Sequence, residues 1–173
     1  MRLISYLLLC CNLIAIEKSF EGKIVEIING DTCVIQVQKQ RTNADGIKTK
    51  IEKWTEKITI QLYGVSAPKG KQPFAAEAKK EFSKLVLNKE MFVEMISANK
   101  KIVFCILTTH EEWQLAYPTS VNRTIVAQGM AWHDSKTTSK DTKLDKEQKE
   151  AQAAKRGLWA AKDPVAPWLW KTQ

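Results

Sequence analysis

Histidine is scarce in this chain of 173 residues: it occurs twice, at His110 and His133. The two are far apart, and a histidine alone in its neighbourhood is by default a surface or structural residue. Cysteine is nearly as rare, and two of the four, Cys10 and Cys11, lie in the N-terminal apolar run. The remaining pair makes no disulfide framework, so Cys33 and Cys105, each inside an apolar strand pattern, are expected as buried free thiols. Internal repeats and low-complexity segments are absent, which removes solenoids and tethers from consideration. Arginine is confined to Arg2, Arg41, Arg123 and Arg156, and residues 42–122 contain none.

No long membrane-spanning run is present either. The opening "MRLISYLLLCCNLIAI" places one arginine before an apolar stretch too short to cross a bilayer, the shape of a secretory signal. Residues 1–19 are therefore read as a signal peptide or an N-terminal membrane anchor, and residues 20–173 as one domain, long enough to close a core without staples. The expected location is secreted, periplasmic or in the cell envelope, with no transmembrane segment after the N-terminal one.

What the chain does have is lysine. The formal net charge is +8, spread along the chain rather than gathered in a tail. This favours anionic partners, nucleic acid first among polyanions, although a lysine-rich soluble surface accounts for the same number.

"GKIVEIINGDTCVIQVQ" (residues 22–38) alternates on both sides of Asn-Gly-Asp and reads as two strands joined by a tight turn, with Cys33, Ile35 and Val37 on one face. "KQRTNADGIKTKIEKW" after it is either a hairpin arm or a mobile loop. A third strand, residues 57–64, sends Ile58, Ile60 and Leu62 inward and Thr59, Gln61 and Tyr63 outward. Pro73 is placed to start a helix with Phe74, Ala78, Phe82 and Leu85 on one stripe. "MFVEMIS" and "KIVFCIL" supply two more strands, and "TTHEEWQLAYPTS" is an enlarged loop or an extra hairpin. Asn122 is a candidate cap for a helix over 123–128. A last helix over about 141–156 turns Leu144, Gln148, Ala151 and Ala154 inward, with Gly157 as its left-handed cap. Five strands and three helices in this order predict an α+β fold, a Greek-key β-barrel of the OB-fold type.

Three stretches resemble the staphylococcal nuclease family: "GKIVEIINGDTCVIQV", "ITIQLYGVSAPKGKQPFAAEAKKEF", and "SVNRTIVAQGMAW" followed by "KEAQAAKRGLWAAKDPVAPWLW". The resemblance covers residues 22–170 and implies a five-stranded barrel with three helices that cuts DNA and RNA with calcium. That chemistry needs carboxylates to hold the ion, a glutamate to activate water, and two arginines to grip the phosphate.

Position by position the resemblance breaks. The first metal carboxylate is present as Asp31, the one retained ligand candidate, which is equally a turn residue satisfying local backbone donors. The third-strand arginine is Gln61, neutral and unable to act as a bidentate cation. In the family's Asp-Ala-Pro-Glu corner the metal carboxylate is Ser66 and the catalytic glutamate is Lys69. A lysine about 6 Å from a divalent ion opposes its binding by up to ~5 kcal/mol at an effective dielectric near 20. The second arginine is Lys101 or Gln114, depending on which strand motif is aligned. No intact catalytic set and no calcium or other cofactor are therefore expected, and Lys69, Lys71 and Lys101 become candidate nucleic-acid-binding residues.

Three functions follow. The first is a non-catalytic, nuclease-like domain that binds nucleic acid or another polyanion. The second is a working nuclease with a rearranged site using Glu77, Glu111 or Glu112. The third is a protein-interaction scaffold using exposed aromatics around Trp54 and Trp113, which sit in segments longer than the family's usual loops. Trp159, Trp168 and Trp170 are expected to anchor the tail.

Overall fold

Residues 19–45, 48–113, 115 and 118–170 are described by the structure, a computed structural model. The expected signal or anchor segment lies outside these residues, except for Ser19, which begins the first strand.

Alternating apolar positions close the barrel. Strands β1 (Ser19–Ile27), β2 (Thr32–Asp45), β3 (Lys48–Leu62), β5 (Glu90–Ala98) and β6 (Val103–Thr109) run in the closed order β1-β2-β3-β6-β5. Only β3 and β6 pair in parallel, through Ile60↔Val103 to Leu62↔Cys105. A two-stranded sheet of β4 (Val65–Ser66) and β7 (Trp132–His133) lies beside it. Inside the barrel Ile24, Ile35, Ile60, Val93 and Leu107 are sealed from solvent.

Helix α1 (Ala75–Val86) covers the barrel with Ala78, Phe82 and Val86. Burying Phe82 alone stabilises the fold by about 3 kcal/mol. The helix starts two residues after Pro73, because Phe74 is its N-cap with φ of 66°, a strained conformation for an aromatic residue. Phe74 instead packs with Trp132, Leu158 and Trp159 in a second apolar cluster.

Sequence and structure differ at several helices. Asn122 is not a cap: Ser120 caps α3 (Val121–Ala127) by accepting from the Arg123 N–H, and Asn122 is buried in the first turn. Its Oδ1 accepts from the Leu107 N–H at 3.0 Å, and its Nδ2 donates to the carbonyls of Tyr63 and Cys105 at 2.9 and 3.1 Å. The enlarged segment before it forms a fourth, one-turn helix, α2 (His110–Trp113). Helix α4 (Thr142–Ala153) is shorter than expected, buries Leu144 and Ala151, and leaves Ala154 exposed. The uncertain polar run is a hairpin arm, paired from Gln38↔Thr55 to Asp45↔Lys48. Among the described residues no helix is long and apolar enough to cross a membrane.

Candidate functional site

The Asn-Gly-Asp turn, the corner after β4 and the turn after β7 meet at one end of the barrel. Gly30 permits the first contact, since a Cβ there would stand 2.8 Å from the Cβ atoms of Ala67 and Ala78. Asp31, next along, is fully buried. Its Oδ1 accepts from the Thr32 hydroxyl at 2.6 Å, and its Oδ2 accepts from the Ala67 N–H at 3.0 Å. A buried carboxylate without a cation would be costly. The cation is Lys69, whose Nζ lies 3.1 Å from Oδ2 with its side chain 42% exposed.

The position of Lys69 in the sequence sets its charge against a metal, and the fold shows where that charge goes. The ammonium sits on the carboxylate that the resemblance puts at the family's metal site. Gly70, with φ of 60°, bends the corner just beyond. Gln72 then fastens it: its Oε1 accepts from the Lys69 N–H at 3.4 Å, and its Nε2 donates to the Val165 carbonyl of the C-terminal tail at 2.7 Å.

Two grooves that share Asp134 lie at this end of the site. One, of about 300 Å³, is lined by Ser66, Lys69, Asp134, Lys136, Pro167 and Trp168. The other, of about 240 Å³, includes Gln61, Tyr63, Phe104, Asp134 and Thr137. Asp134 lies between them and turns back on its own loop, accepting from the Lys136 N–H at 3.1 Å and the Thr137 hydroxyl at 2.6 Å. Lys71 is exposed on the corner, and Lys101 is exposed in the β5–β6 turn, where its N–H donates to Asn99 Oδ1. Neither lines these grooves. Gln114 lies outside the described residues.

Calcium takes six to eight oxygen ligands, with carboxylates balancing much of its charge. At the positions the resemblance assigns to the metal the site supplies one carboxylate, Asp31, already held by two hydrogen bonds and an ammonium, beside the neutral Ser66 and Gln61, while Asp134 is turned onto its own loop. These residues do not fit the ion. Among the described residues no three His, Cys, Asp or Glu side chains come together as a metal cluster.

The other candidates are scattered. Glu77 is exposed in the first turn of α1, and Glu111 is exposed on α2. Glu112 Oε2 accepts from the Thr119 N–H at 3.3 Å, tying down its own loop. His133 is buried, with Nε2 2.9 Å from the Thr138 hydroxyl. Trp54 is half-exposed on the hairpin arm, opposite Lys39. Trp113 is half-exposed too, yet one face stacks on Phe92 with ring centroids 3.7 Å apart. Cys33 and Cys105 are buried free thiols. Burial, and then the nearby Asp31 charge, pushes Cys33 up to about 12. Burial, and then Cys33, raises Cys105 as well.

Trp168 corrects an expectation. Trp159 anchors the tail by meeting Trp132 edge-on, but Trp168 is 43% exposed and forms a wall of the larger groove. Sequence reasoning also passed over Asp134 and Lys136. Their one local signal is Asp-Ser-Lys-Thr after β7, a pattern in which aspartate folds onto its own turn.

The family model described as "Staphylococcal nuclease homologue" matches residues 59–161. An uncharacterized 38.1 kDa protein of Capnoides sempervirens is 31% identical over 117 residues, 66% of this chain and 32% of that protein. A probable staphylococcal-like nuclease of Oryza sativa subsp. japonica is 29% identical over 67% of this chain and 33% of its own length. A micrococcal nuclease of Shigella flexneri is 25% identical over 88% of this chain and 80% of its own. The chain thus spans about a third of the plant relatives' length and four fifths of the bacterial one's.

Proposed function

From a chain that belongs to the staphylococcal nuclease family, we propose a nuclease-like domain that binds nucleic acid without calcium and does not hydrolyse it. One observation carries the reading: at the corner where the resemblance puts the family's catalytic glutamate, the Lys69 ammonium rests on Asp31 at 3.1 Å. With Gln61 and Ser66 also neutral, the water-activating base, one metal carboxylate and one phosphate-gripping arginine are all replaced. Such groups are worth about 10² to 10⁴ for an acid–base residue and 10³ to 10⁵ for an arginine in related chemistry. Their losses do not add, yet the ordinary mechanism has no base left to use.

The lysine surplus suits the phosphate backbone, and the N-terminal apolar run suits export to the envelope or beyond. We therefore assign the protein to an exported, polyanion-binding role.

The test is a pair of measurements on the purified protein. Incubation with single-stranded and duplex substrates, with calcium and with a chelator, is expected to leave both uncut. Affinity in chelator should fall steeply with salt, by roughly 20-fold between 50 and 200 mM if about three single-strand phosphates are neutralised. Chelator-sensitive cleavage would overturn the first half of the proposal; binding that is absent at low salt, or flat with salt, would overturn the second.

A further inference from the structure

The larger groove is built from three separated segments that the fold locks together. The corner contributes Ser66 and Lys69, the turn after β7 contributes Asp134 and Lys136, and the tail contributes Pro167 and Trp168. Gln72 ties corner to tail through the Val165 carbonyl at 2.7 Å. Buried Ala166 plugs the tail into the second apolar cluster, and its carbonyl accepts from the N–H groups of Leu169 and Trp170 at 2.9 and 3.1 Å. The Trp168 indole is thus presented on a fixed turn, so little ordering remains for a ligand to drive.

Charge decides what the groove can hold. Lys69 is paired with Asp31, and the Asp134 carboxylate is turned onto its own loop by the Lys136 N–H and the Thr137 hydroxyl, so among the described residues Lys136 is the one lining ammonium outside an ion pair. A rail of duplex phosphates needs several cations in a row, and this groove offers one. An indole with that ammonium in the same groove suits a flat ring that bears a single phosphate. The volume of about 300 Å³ is at the small end of ligand pockets, which run from roughly 300 to 1,000 Å³. That is room for one nucleotide.

We propose that this groove seats one unpaired nucleotide of a single strand, its base stacked on Trp168 and its phosphate on Lys136. Stacking needs a base freed from its partner, and every base offers a π face, so the site selects single strands over duplex without reading sequence. The site deepens the proposed calcium-free binding function and rests on it. It names a contact that the relatives' names do not.

The experiment compares an oligothymidylate about ten nucleotides long with a duplex of the same length, in chelator at low salt. Tryptophan fluorescence and anisotropy report binding. Trp168→Ala is expected to weaken single-strand binding by roughly 5- to 100-fold and to leave duplex binding as in the unaltered protein. Trp168→Phe, which keeps a ring, should retain most of the affinity. Lys136→Gln, at an exposed turn position, should lower the salt slope for the single strand by about 0.7. Trp54→Ala, on the hairpin arm, should change nothing. Unaltered single-strand affinity in Trp168→Ala overturns the groove while leaving calcium-free binding intact. Equal losses for single strand and duplex overturn it as well, as does a Trp168→Phe variant as weak as the alanine. Failure of the unaltered protein to bind either substrate overturns both proposals.

Discussion

Replacing Lys69 tests whether its ammonium does for Asp31 what a metal would. The carboxylate is fully buried and the ammonium is 3.1 Å away, which at an effective dielectric of 20 corresponds to about 5 kcal/mol of attraction. That is an upper bound. The lysine side chain is 42% exposed, so water screens the pair and would partly replace it. Lys69→Met should therefore lower stability by about 1–3 kcal/mol, below the 3–5 of a fully buried broken pair. A loss of this size lowers the melting temperature by roughly 2–12 °C in a domain of this length. Lys69→Glu should cost more, because it sets a second carboxylate against Asp31. It alone should recover on adding calcium, by about 1.4 kcal/mol when the ion is at roughly ten times its dissociation constant. Thermal melts of the three proteins, with calcium and with chelator, check this. If Lys69→Glu melts like the unaltered protein and ignores calcium, or if the unaltered protein is itself stabilised by calcium through Asp31, the reasoning is refuted.

Two further perturbations probe the scaffold. Asn122→Ala orphans the Leu107 N–H and the Tyr63 carbonyl and leaves the Cys105 carbonyl with the Tyr63 N–H alone, so urea denaturation should show a loss of about 3 kcal/mol, more than a surface cap would give. Cys33 is raised from 9.0 to about 12 and buried, so neither it nor Cys105 should react with an alkylating reagent near pH 8 until denaturant is added, as read by peptide mass mapping. Because the folded-state value lies above the unfolded one, this thiol's contribution is intact below pH 9. It is lost progressively as pH rises towards 12, and stability should decline over that window.

Period-two patterning made the barrel legible: Cys33, Ile35 and Val37 are buried as their alternation implies. Thr32 breaks the pattern, being buried although polar, because its hydroxyl is spent on Asp31. Asn122 reads as a cap because asparagine before an apolar stretch usually is one. Its real partners lie on β6 and at the end of β3, and no local window contains them. At the site, the departures of Gln61, Ser66 and Lys69 from the family's pattern are legible one by one in the sequence. The ion pair is not, since Asp31 and Lys69 meet only after the turn and the corner have packed through Gly30. The exposure of Trp168 was hidden for a related reason. Trp159, Trp168 and Trp170 look alike in sequence, and only the folded tail decides which indole meets Trp132 and which meets the groove.

Asp31 serves the fold as well as the site. Its backbone carbonyl accepts from the Leu62 N–H, and its carboxylate joins Thr32 to the Ala67 N–H. Replacing its side chain would orphan two buried donors, the Thr32 hydroxyl and the Ala67 N–H, so the charge persists and must be balanced. A metal ion balances it only when free calcium is available. A lysine on the same chain cannot diffuse away, and it makes the local balance independent of the surroundings. The same pairing limits what Lys69 offers a ligand, since its field is largely cancelled by Asp31 at 3.1 Å. The polyanion affinity proposed above must then come from lysines outside the pair, with Lys136 in the groove and Lys71 on the exposed corner the nearest along the elements that build the site.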